Sequence, residues 1–412
     1  MQNEQIARTG GKQKAAKGKL ALLVVILISY FVVGFPDGAF TVSWLGMQEE
    51  GLIPTLAHTG YILVAYSVTY TLAGVILAWL NRFWKLQTIY LCGLVLMGAG
   101  FIGLTFSTDF FMLAGFIALY GFGTGQMASS MNAYMTRHFT ARHNNWMHCF
   151  WGAGATVSPL IMGQMMGRFT WREGYYVIAG LMLLIAVMLF VSMYKKMWID
   201  QQTSNVTEQE KQISGQKRFL TKKRHQVVEI ATFFFLGGTD YTLVFFTGAA
   251  LVARGMDEEY VLWFSAIYYI CMTVGRIFFG WAAKFLREVP IVRIGCALAV
   301  VGIGVLYFTG NILGMALTGL GLAPLLPTLV SDTSNRFAPK LISRLVGLEL
   351  AAFGAGIAVL FFTTSQILAY VSLEMLFPLG VGFILLVFLC NEWLARAIGR
   401  EKATKSTPVD GR

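Results

Sequence analysis

Apolar stretches of about 20 residues recur along this chain, and each is long enough to cross a lipid bilayer as a helix. Hydrophobic residues make up 56% of the 412 positions and charged residues only 13%, which leaves a soluble fold too little polar surface to cover itself. The sequence therefore predicts an all-α membrane protein with about twelve transmembrane helices. The predicted spans cover about residues 20–45, 57–80, 86–106, 110–136, 145–167, 174–194, 226–252, 260–286, 291–309, 311–333, 342–369 and 373–396.

The net charge of +11 is distributed in a pattern typical of membrane topology. Basic residues precede the first span, fill the central polar segment and the tail, and mark every second short connection, whereas the intervening connections are mostly acidic or uncharged. This bias places both termini and the central loop in the cytoplasm and requires an even number of spans. We expect a multi-pass protein of the cytoplasmic (inner) membrane, in contact with the lipid bilayer and with no nucleic-acid partner.

A long polar stretch, at about residues 200 to 225, divides the chain near its centre. We accordingly predict five segments. They are a cytoplasmic amino-terminal segment (1–19), a six-helix bundle (20–195), a cytoplasmic central loop (196–225), a second six-helix bundle (226–397) and a cytoplasmic tail (398–412).

The two halves resemble each other at nearly one register. Asp37 and Asp240 lie 203 positions apart, and similar offsets relate Gly74 to Gly275 and Gly152-Ala-Gly154 to Gly354-Ala-Gly356. A repeat of six spans in parallel orientation predicts two pseudo-symmetric bundles with a solute site between them near the membrane midplane. That arrangement favours alternating access over a static pore.

Three motifs resemble the fucose-permease-like branch of the major facilitator superfamily. The fifth span reads Asn-Trp-Met-His-Cys-Phe-Trp-Gly-Ala-Gly-Ala-Thr-Val-Ser-Pro from Asn145, the tenth reads Gly-Leu-Gly-Leu-Ala-Pro-Leu-Leu-Pro-Thr from Gly319, and the first reads Gly-Phe-Pro-Asp-Gly-Ala-Phe-Thr-Val-Ser-Trp from Gly34. Asn132 stands where this branch tends to carry an asparagine. The resemblance covers essentially the whole chain and implies the major facilitator fold and a secondary carrier, commonly of sugars, driven by protons. The loop after the second span lacks the usual aspartate and second glycine, so the resemblance implies no gating interaction there.

Four ionisable residues lie inside apolar spans: Asp37, Asp240, Arg276 and Glu349. A charge in hydrocarbon costs about 3 kcal/mol or more, so such residues persist when they are used or paired. We assign proton coupling to Asp37, Asp240 and Glu349, with Asp37 as the main carrier. We predict a charge pair between Arg276 and Glu349, which lie at similar depth, with Asp240 as the alternative partner. The alternative for all four residues is a static internal ion pair that only holds helices together.

Uncharged polar and aromatic side chains near these positions form the predicted solute site. The resemblance implies that His148 is a site residue, where a neutral imidazole both donates and accepts hydrogen bonds to a hydroxylated solute. Polar side chains in a membrane also form simple interhelical hydrogen bonds, and many aromatic residues only pack. We predict solute binding by Asn132, Asn145, His148, Trp151 and Tyr241.

Other classes of function lack their motifs in this sequence. It contains no phosphate-binding loop with a lysine, no cysteine or histidine cluster with metal-ligand spacing and no nucleophile triad. The five cysteines fall inside or at the edges of spans, as packing residues do. We therefore expect no enzymatic activity, no cofactor and no metal site.

The leading hypothesis is proton-coupled uptake of a sugar or a similar polyhydroxylated solute, with the monomer as the functional unit. The alternative is a proton-driven efflux antiporter for drugs or amphipathic metabolites, which the same fold supports. A sugar site is narrow and rich in hydrogen-bonding groups, whereas a drug site is wide and mostly apolar. Asn132, His148 and the tyrosines favour the sugar.

Overall fold

The computed structural model describes residues 2–139, 141–198, 220 and 222–403. Within these ranges, the side chains are described except at 2–17, 78, 136–137, 141–142, 144–145, 258–259, 262, 339–340, 343–344 and 401–403. Over these residues the chain is almost entirely helical. Its helices are α1 (Gln2–Val33), α2 (Phe35–Glu49), α3 (Leu56–Leu80), α4 (Leu86–Leu104), α5 (Phe110–His138), α6 (Ala141–Met166), α7 (Trp171–Tyr194), α8 (Lys223–Val252), α9 (Glu258–Ala282), α10 (Glu288–Thr309), α11 (Ile312–Leu322), α12 (Leu325–Arg336), α13 (Pro339–Tyr370) and α14 (Leu376–Ala403).

These helices form the predicted transmembrane architecture. Within the described residues, eleven helical segments are long and apolar enough to cross a membrane. The remaining predicted span is α6, a helix of 26 residues that is also long enough to cross, at about 1.5 Å per residue. Polar residues at 142–145 lower the mean hydropathy of its first turns.

Two of the predicted spans are broken rather than continuous. The first span consists of α1 and α2, which meet at Gly34, and the tenth consists of α11 and α12, which meet at Ala323 and Pro324. Proline has no backbone N–H and its ring clashes with the preceding turn, so Pro36 and Pro324 end the helical hydrogen-bond ladder at these points. Both segments remain candidate membrane spans, and neither break was predicted.

The sequence repeat is a structural repeat. In the amino-terminal half, a Cβ atom added at Gly34 or Gly154 would collide with a backbone carbonyl oxygen across the contact between α1 and α6, and Gly237 and Gly356 make the equivalent approach between α8 and α13. Only glycine allows backbones this close. The matched contacts are Gly34 with Trp151, Phe31 with Gly154, Gly237 with Phe353, and Phe234 with Gly356, at offsets of 202 or 203.

Several predicted segment boundaries fall near or beyond the described residues. Most of the predicted central loop, at 199–219 and 221, lies outside the described residues, and α8 begins at Lys223. The helix α14 continues to Ala403, and the rest of the predicted tail, 404–412, also lies outside them. The predicted amino-terminal segment is helical from Gln2.

The two halves meet through α3 with α13 and through α6 with α9. We call the side of the bundle that carries the connections at 50–55, 253–257 and 371–375 the far face, and the side that carries those at 81–85, 283–287 and 337–338 the termini face. Near the far face, Trp44 stacks on Phe245 with ring centroids 5.1 Å apart. Nε2 of Gln366 donates to the carbonyl oxygen of Ala57 at 3.0 Å, and Gly60 leaves no room for a side chain against Ser365. The halves are therefore in contact at the far face.

Candidate functional site

Asp37 lies in the first turn of α2, directly after the break in the first span. Its Oδ2 accepts a hydrogen bond from Nε1 of Trp151 at 3.0 Å, and its Oδ1 accepts one from the hydroxyl of Tyr120 at 3.3 Å. The break thus places a carboxylate at the amino end of a helix, where the helix dipole favours negative charge. Two side chains, from α6 and α5, hold it in place.

Aromatic rings surround this carboxylate. Tyr66 stacks on Tyr120 with centroids 5.4 Å apart and on Tyr70 with centroids 5.9 Å apart. The Asp37 carboxylate interacts electrostatically with the hydroxyls of Tyr66 and Tyr70. It interacts in the same way with two tyrosines of the carboxyl-terminal half, Tyr241 and Tyr269. Tyrosine hydroxyls of both halves therefore lie within electrostatic range of Asp37. Tyr241 was predicted as a site residue, whereas Tyr120 and Tyr269 were missed.

Asp240 occupies the matching position of the other half. Its Oδ1 accepts a hydrogen bond from the hydroxyl of Tyr268 on α9. Arg276, two turns further along α9, interacts with it electrostatically. Each half therefore contributes one partly buried carboxylate that is held by a tyrosine.

Arg276 lies between the two halves. Its guanidinium carbon is 5.7 Å from the centroid of the Trp151 ring, within the range of a cation–π contact. Gly152 provides the space, because a Cβ atom there would lie 3.8 Å from Nη1 of Arg276 and 2.8 Å from Oγ1 of Thr273. Across the described part of the chain, no carboxylate forms an ion pair with Arg276 within 4.0 Å.

Asn132 and His148 contact each other on neighbouring helices α5 and α6. Nε2 of His148 lies 3.3 Å from Oδ1 of Asn132, whose Nδ2 donates to the carbonyl oxygen of Ala128 at 2.9 Å. With the amide in this orientation, the hydrogen bond requires a proton on Nε2 of the imidazole. His148 also interacts electrostatically with Arg276. The side chain of Asn145, another predicted site residue, lies outside the described residues.

Glu349 does not pair with Arg276, which corrects the predicted charge pair. It is fully buried among α8, α12 and α14, and its Oε1 accepts a hydrogen bond from Oγ1 of Thr333 at 2.9 Å. Counting from the helix ends gives the depth of a residue in the membrane, but it does not give the side of the helix that the residue occupies. Glu349 therefore matches Arg276 in depth and faces other helices.

A charged cluster around Glu349 was missed by sequence reasoning. Arg336 pairs with Glu229 at 3.1 Å and with Asp332 at 2.6 Å, and it donates to Asn391. Glu229 and Arg336 lie within a few residues of the predicted span boundaries at 226 and 333, where charges are ordinarily solvated, and neither was predicted as a site residue. An acidic residue followed by an unbroken apolar run was the available signal at Glu229.

The central arrangement combines a carboxylate, hydrogen-bond donors and stacking surfaces. Asp37 can accept hydrogen bonds from hydroxyl groups or hold a proton, Arg276 can donate, Nδ1 of His148 can accept, and the rings of Trp151 and the tyrosines can stack on an apolar sugar face. Within the described residues, no group of three or more histidine, cysteine, aspartate or glutamate side chains is placed to hold a metal ion.

A family model described as Major Facilitator Superfamily matches residues 26–348. The chain belongs to the Major Facilitator Superfamily. Comparison with curated protein sequences finds no match. The superfamily membership suggested by the sequence motifs is confirmed, and the fucose-permease-like branch stays a prediction.

Solved structures of this superfamily share the fold at low sequence identity. The nucleoside transporter NupG (D323A mutant) aligns with a TM-score of 0.71 at 10% identity, covering 90% of this chain and 99% of NupG. A D-xylose-proton symporter aligns with a TM-score of 0.70 at 11% identity, covering 92% of this chain and 97% of the symporter. FucP in the outward conformation aligns with a TM-score of 0.61 at 12% identity, covering 92% and 99%.

Proposed function

We propose that this Major Facilitator Superfamily protein carries a small polyhydroxylated solute, of the monosaccharide class, across the cytoplasmic membrane together with a proton. The observation that carries the proposal is the Asp37 carboxylate, held by the Trp151 indole and the Tyr120 hydroxyl and within electrostatic range of tyrosine hydroxyls of both halves. A solute that contacts these groups touches both halves at once. Its binding can therefore be coupled to their relative movement.

Asp37 is proposed as the proton carrier. Enclosure in a membrane favours the neutral form of a carboxyl group, whereas the helix end and the two donors favour the carboxylate, so Asp37 is suited to alternate between the two forms. The neutral acid can donate a hydrogen bond that the carboxylate cannot. Loading of the proton thus changes which solute groups Asp37 can contact. Asp240, bound by Tyr268, is the competing carrier because it holds the equivalent position.

Solute recognition is proposed to use the groups around Asp37. Trp151 and Tyr241 provide stacking faces, and the Asn132–His148 pair and Arg276 supply hydrogen-bond donors and acceptors. One of the structural neighbours is a D-xylose-proton symporter, which agrees with this class of solute and with proton coupling. We propose cytoplasmic termini from the placement of basic residues.

The test is transport by the purified protein in liposomes, after a thermal-stabilisation screen of monosaccharides that includes D-xylose. The Asp37→Asn variant resembles the protonated acid, so it should exchange the sugar between equal pools and lose accumulation driven by an imposed pH gradient. A variant that still accumulates the sugar with unchanged pH dependence removes Asp37 from the mechanism. If no monosaccharide raises the thermal stability of the protein and none is exchanged by it in liposomes, the proposal of a monosaccharide as solute is wrong.

A second candidate function is proton-driven efflux of amphipathic cations. The rings around Asp37 favour it, because a carboxylate within aromatic faces also suits an organic cation. Efflux predicts that tetraalkylammonium ions, and not sugars, stabilise the protein. It also predicts an outward flux of these cations that is driven by an inward proton gradient. The same screen separates the two functions.

A further inference from the structure

The charged cluster in the carboxyl-terminal half lies apart from the solute site and uses four helices. Glu229 comes from α8, Asp332, Thr333 and Arg336 from α12, and Glu349 from α13. Asn391 of α14 accepts from Arg336. Glu229 and Glu349 are both completely buried, and Arg336 is 2% exposed.

The hydrogen bonds within the cluster do not satisfy two ionised glutamates. The hydroxyl of Thr333 is the shared neighbour of both, at 3.3 Å from Oε1 of Glu229 and 2.9 Å from Oε1 of Glu349. A hydroxyl has one proton to donate, and it also lies 3.2 Å from the carbonyl oxygen of Leu329. Oε2 of Glu349 is buried without a hydrogen-bond partner.

The charges within the cluster do not balance either. Three carboxyl groups, of Glu229, Asp332 and Glu349, face one guanidinium, and Arg336 makes its ion pairs with the first two only. In the described part of the chain, no lysine or arginine of the other helices forms an ion pair with Glu349. On α8, the buried His225 lies one turn before Glu229, with its ring 5.3 Å from that of Trp393. On α14, Glu392 pairs with Arg293, and on α3, which packs against α13 from the other half, His58 lies at the far end. An unpaired buried carboxylate in a membrane is costly, and a second carboxylate beside it raises the cost.

We propose that Glu229 and Glu349 form a proton-binding pair that holds one proton in this conformation. The proton resides on Glu349, where the acid form removes the uncompensated charge and leaves Glu229 ionised against Arg336. A proton fits the site better than a metal ion, because the described carboxylates do not converge in a metal-binding arrangement. This site is separate from the one around Asp37 and does not depend on the identity of the solute.

An apolar cap separates the pair from the termini face. We define the apolar cap as Leu220, Phe337, Leu345 and Leu394, which are fully buried and pack together. The backbone N–H of Leu220 donates to the carbonyl oxygen of Arg336 at 2.7 Å. Arg336, which pairs with Glu229, is therefore also hydrogen-bonded to the cap. Loss of the proton turns Glu349 into a carboxylate that competes with Glu229 for Arg336. A shift of Arg336 toward Glu349 would disturb the hydrogen bond between its carbonyl oxygen and Leu220 of the cap. Protonation of the pair is thereby linked to solvent access from the termini face.

The test is the pH dependence of the apparent unfolding midpoint of the purified full chain in detergent, from about pH 5 to about pH 9. A proton held by the folded protein and released on unfolding lowers stability as pH rises, by about tenfold in the unfolding equilibrium per pH unit for one proton. In Glu349→Gln the amide replaces the neutral acid, so the variant should fold and lose the part of this slope that one bound proton contributes. Glu229→Gln should lower the midpoint at every pH, because it leaves Arg336 with one carboxylate fewer.

A matched control completes the experiment. Glu374→Gln neutralises an exposed carboxyl group that pairs with Arg254 outside the cluster, and it should keep the loss of stability that Glu349 causes. A Glu349→Gln variant with the full slope of the wild type overturns the proposal. A Glu349→Gln variant that cannot be obtained folded also overturns it, because the amide has the shape and the donor of the acid.

Discussion

The indole nitrogen of Trp151 lies 3.0 Å from Oδ2 of Asp37, and the centroid of the same indole ring lies 5.7 Å from the guanidinium carbon of Arg276. Trp151 thus touches an acid of its own half and a base of the opposite half. Gly152, the next residue, leaves the space in which Arg276 lies. A change at Trp151 should therefore affect solute binding more than folding.

Trp151→Phe removes the hydrogen-bond donor and keeps an aromatic ring beside Arg276. Asp37 then lacks the hydrogen bond that orients it in the proposed solute site, so the Kd of the monosaccharide found in the screen should rise about tenfold, which corresponds to about 1.4 kcal/mol. Binding is measured by isothermal titration calorimetry. Trp79→Phe is the control, since Trp79 is 56% exposed on the outer surface of the bundle. An unchanged Kd in Trp151→Phe would show that the indole N–H does not organise the site.

Arg276→Gln should impair transport, because it removes the positive charge that faces Asp240. Adding Asp240→Asn should restore part of the loss, whereas adding Glu349→Gln should not, since Glu349 belongs to a different cluster. The measurement is a double-mutant cycle on the exchange rate in liposomes. We expect a coupling energy above about 0.5 kcal/mol for Arg276 with Asp240 and near zero for Arg276 with Glu349. Equal coupling to both acids contradicts this assignment.

The repeated glycine contacts predict matched losses of stability in the two halves. Gly154→Ala and Gly356→Ala each place a Cβ atom against a backbone carbonyl oxygen, of Phe31 and Phe234 respectively. Overpacking of this kind costs about 1–3 kcal/mol, and thermal unfolding in detergent should show similar decreases for both. Gly180→Ala is the control, because a Cβ atom there meets nothing within 4 Å. A tolerated alanine at either position would mean that its half packs differently.

A disulfide across the far face should stop transport. A Cβ atom at residue 60 would collide with Oγ of Ser365, so the two positions are neighbours across the contact, and cysteines there can be bridged after a small local shift that makes room for the disulfide. In a background without the five native cysteines, Gly60→Cys with Ser365→Cys should lose solute exchange on oxidation and regain it on reduction. Each single-cysteine variant serves as a control under the same oxidant. Undiminished exchange in the oxidised, cross-linked protein would contradict movement of the halves at this face.

Hydropathy alone was sufficient to predict the helical spans, because apolar runs of this length have few other stable structures in a membrane. The repeat was also visible in the sequence, since the glycines that permit equivalent backbone contacts keep one register. The helix breaks at Gly34 and Ala323 were not predicted, although Pro36 and Pro324 were present within apolar runs. Hydropathy averages over a window and does not register the loss of one backbone donor.

The polar positions were harder to predict than the spans. Asp37, Asn132, His148 and Trp151 were identified from their place in the sequence, and the structure brings Asp37 to Trp151 and Asn132 to His148. Glu349 was assigned to the wrong neighbours because depth along a helix does not specify the face of the helix. Glu229 and Arg336 escaped notice because each lies near a predicted span boundary, where a charge is ordinarily solvated.

Both ends of the central connection are fastened to the body of the protein. Trp198 is buried against Tyr134 and donates to Oγ of Ser192 at 2.8 Å in the amino-terminal half, and Leu220 is fastened to Arg336 in the other half. Twenty-one residues, 199–219, remain between these two anchors, and a chain of that length can extend to at most about 70 Å. That contour length far exceeds any displacement expected when two bundles rock against each other. The contour length of this connection therefore does not limit the proposed movement of the halves, and we expect the contact surfaces of the halves to limit it.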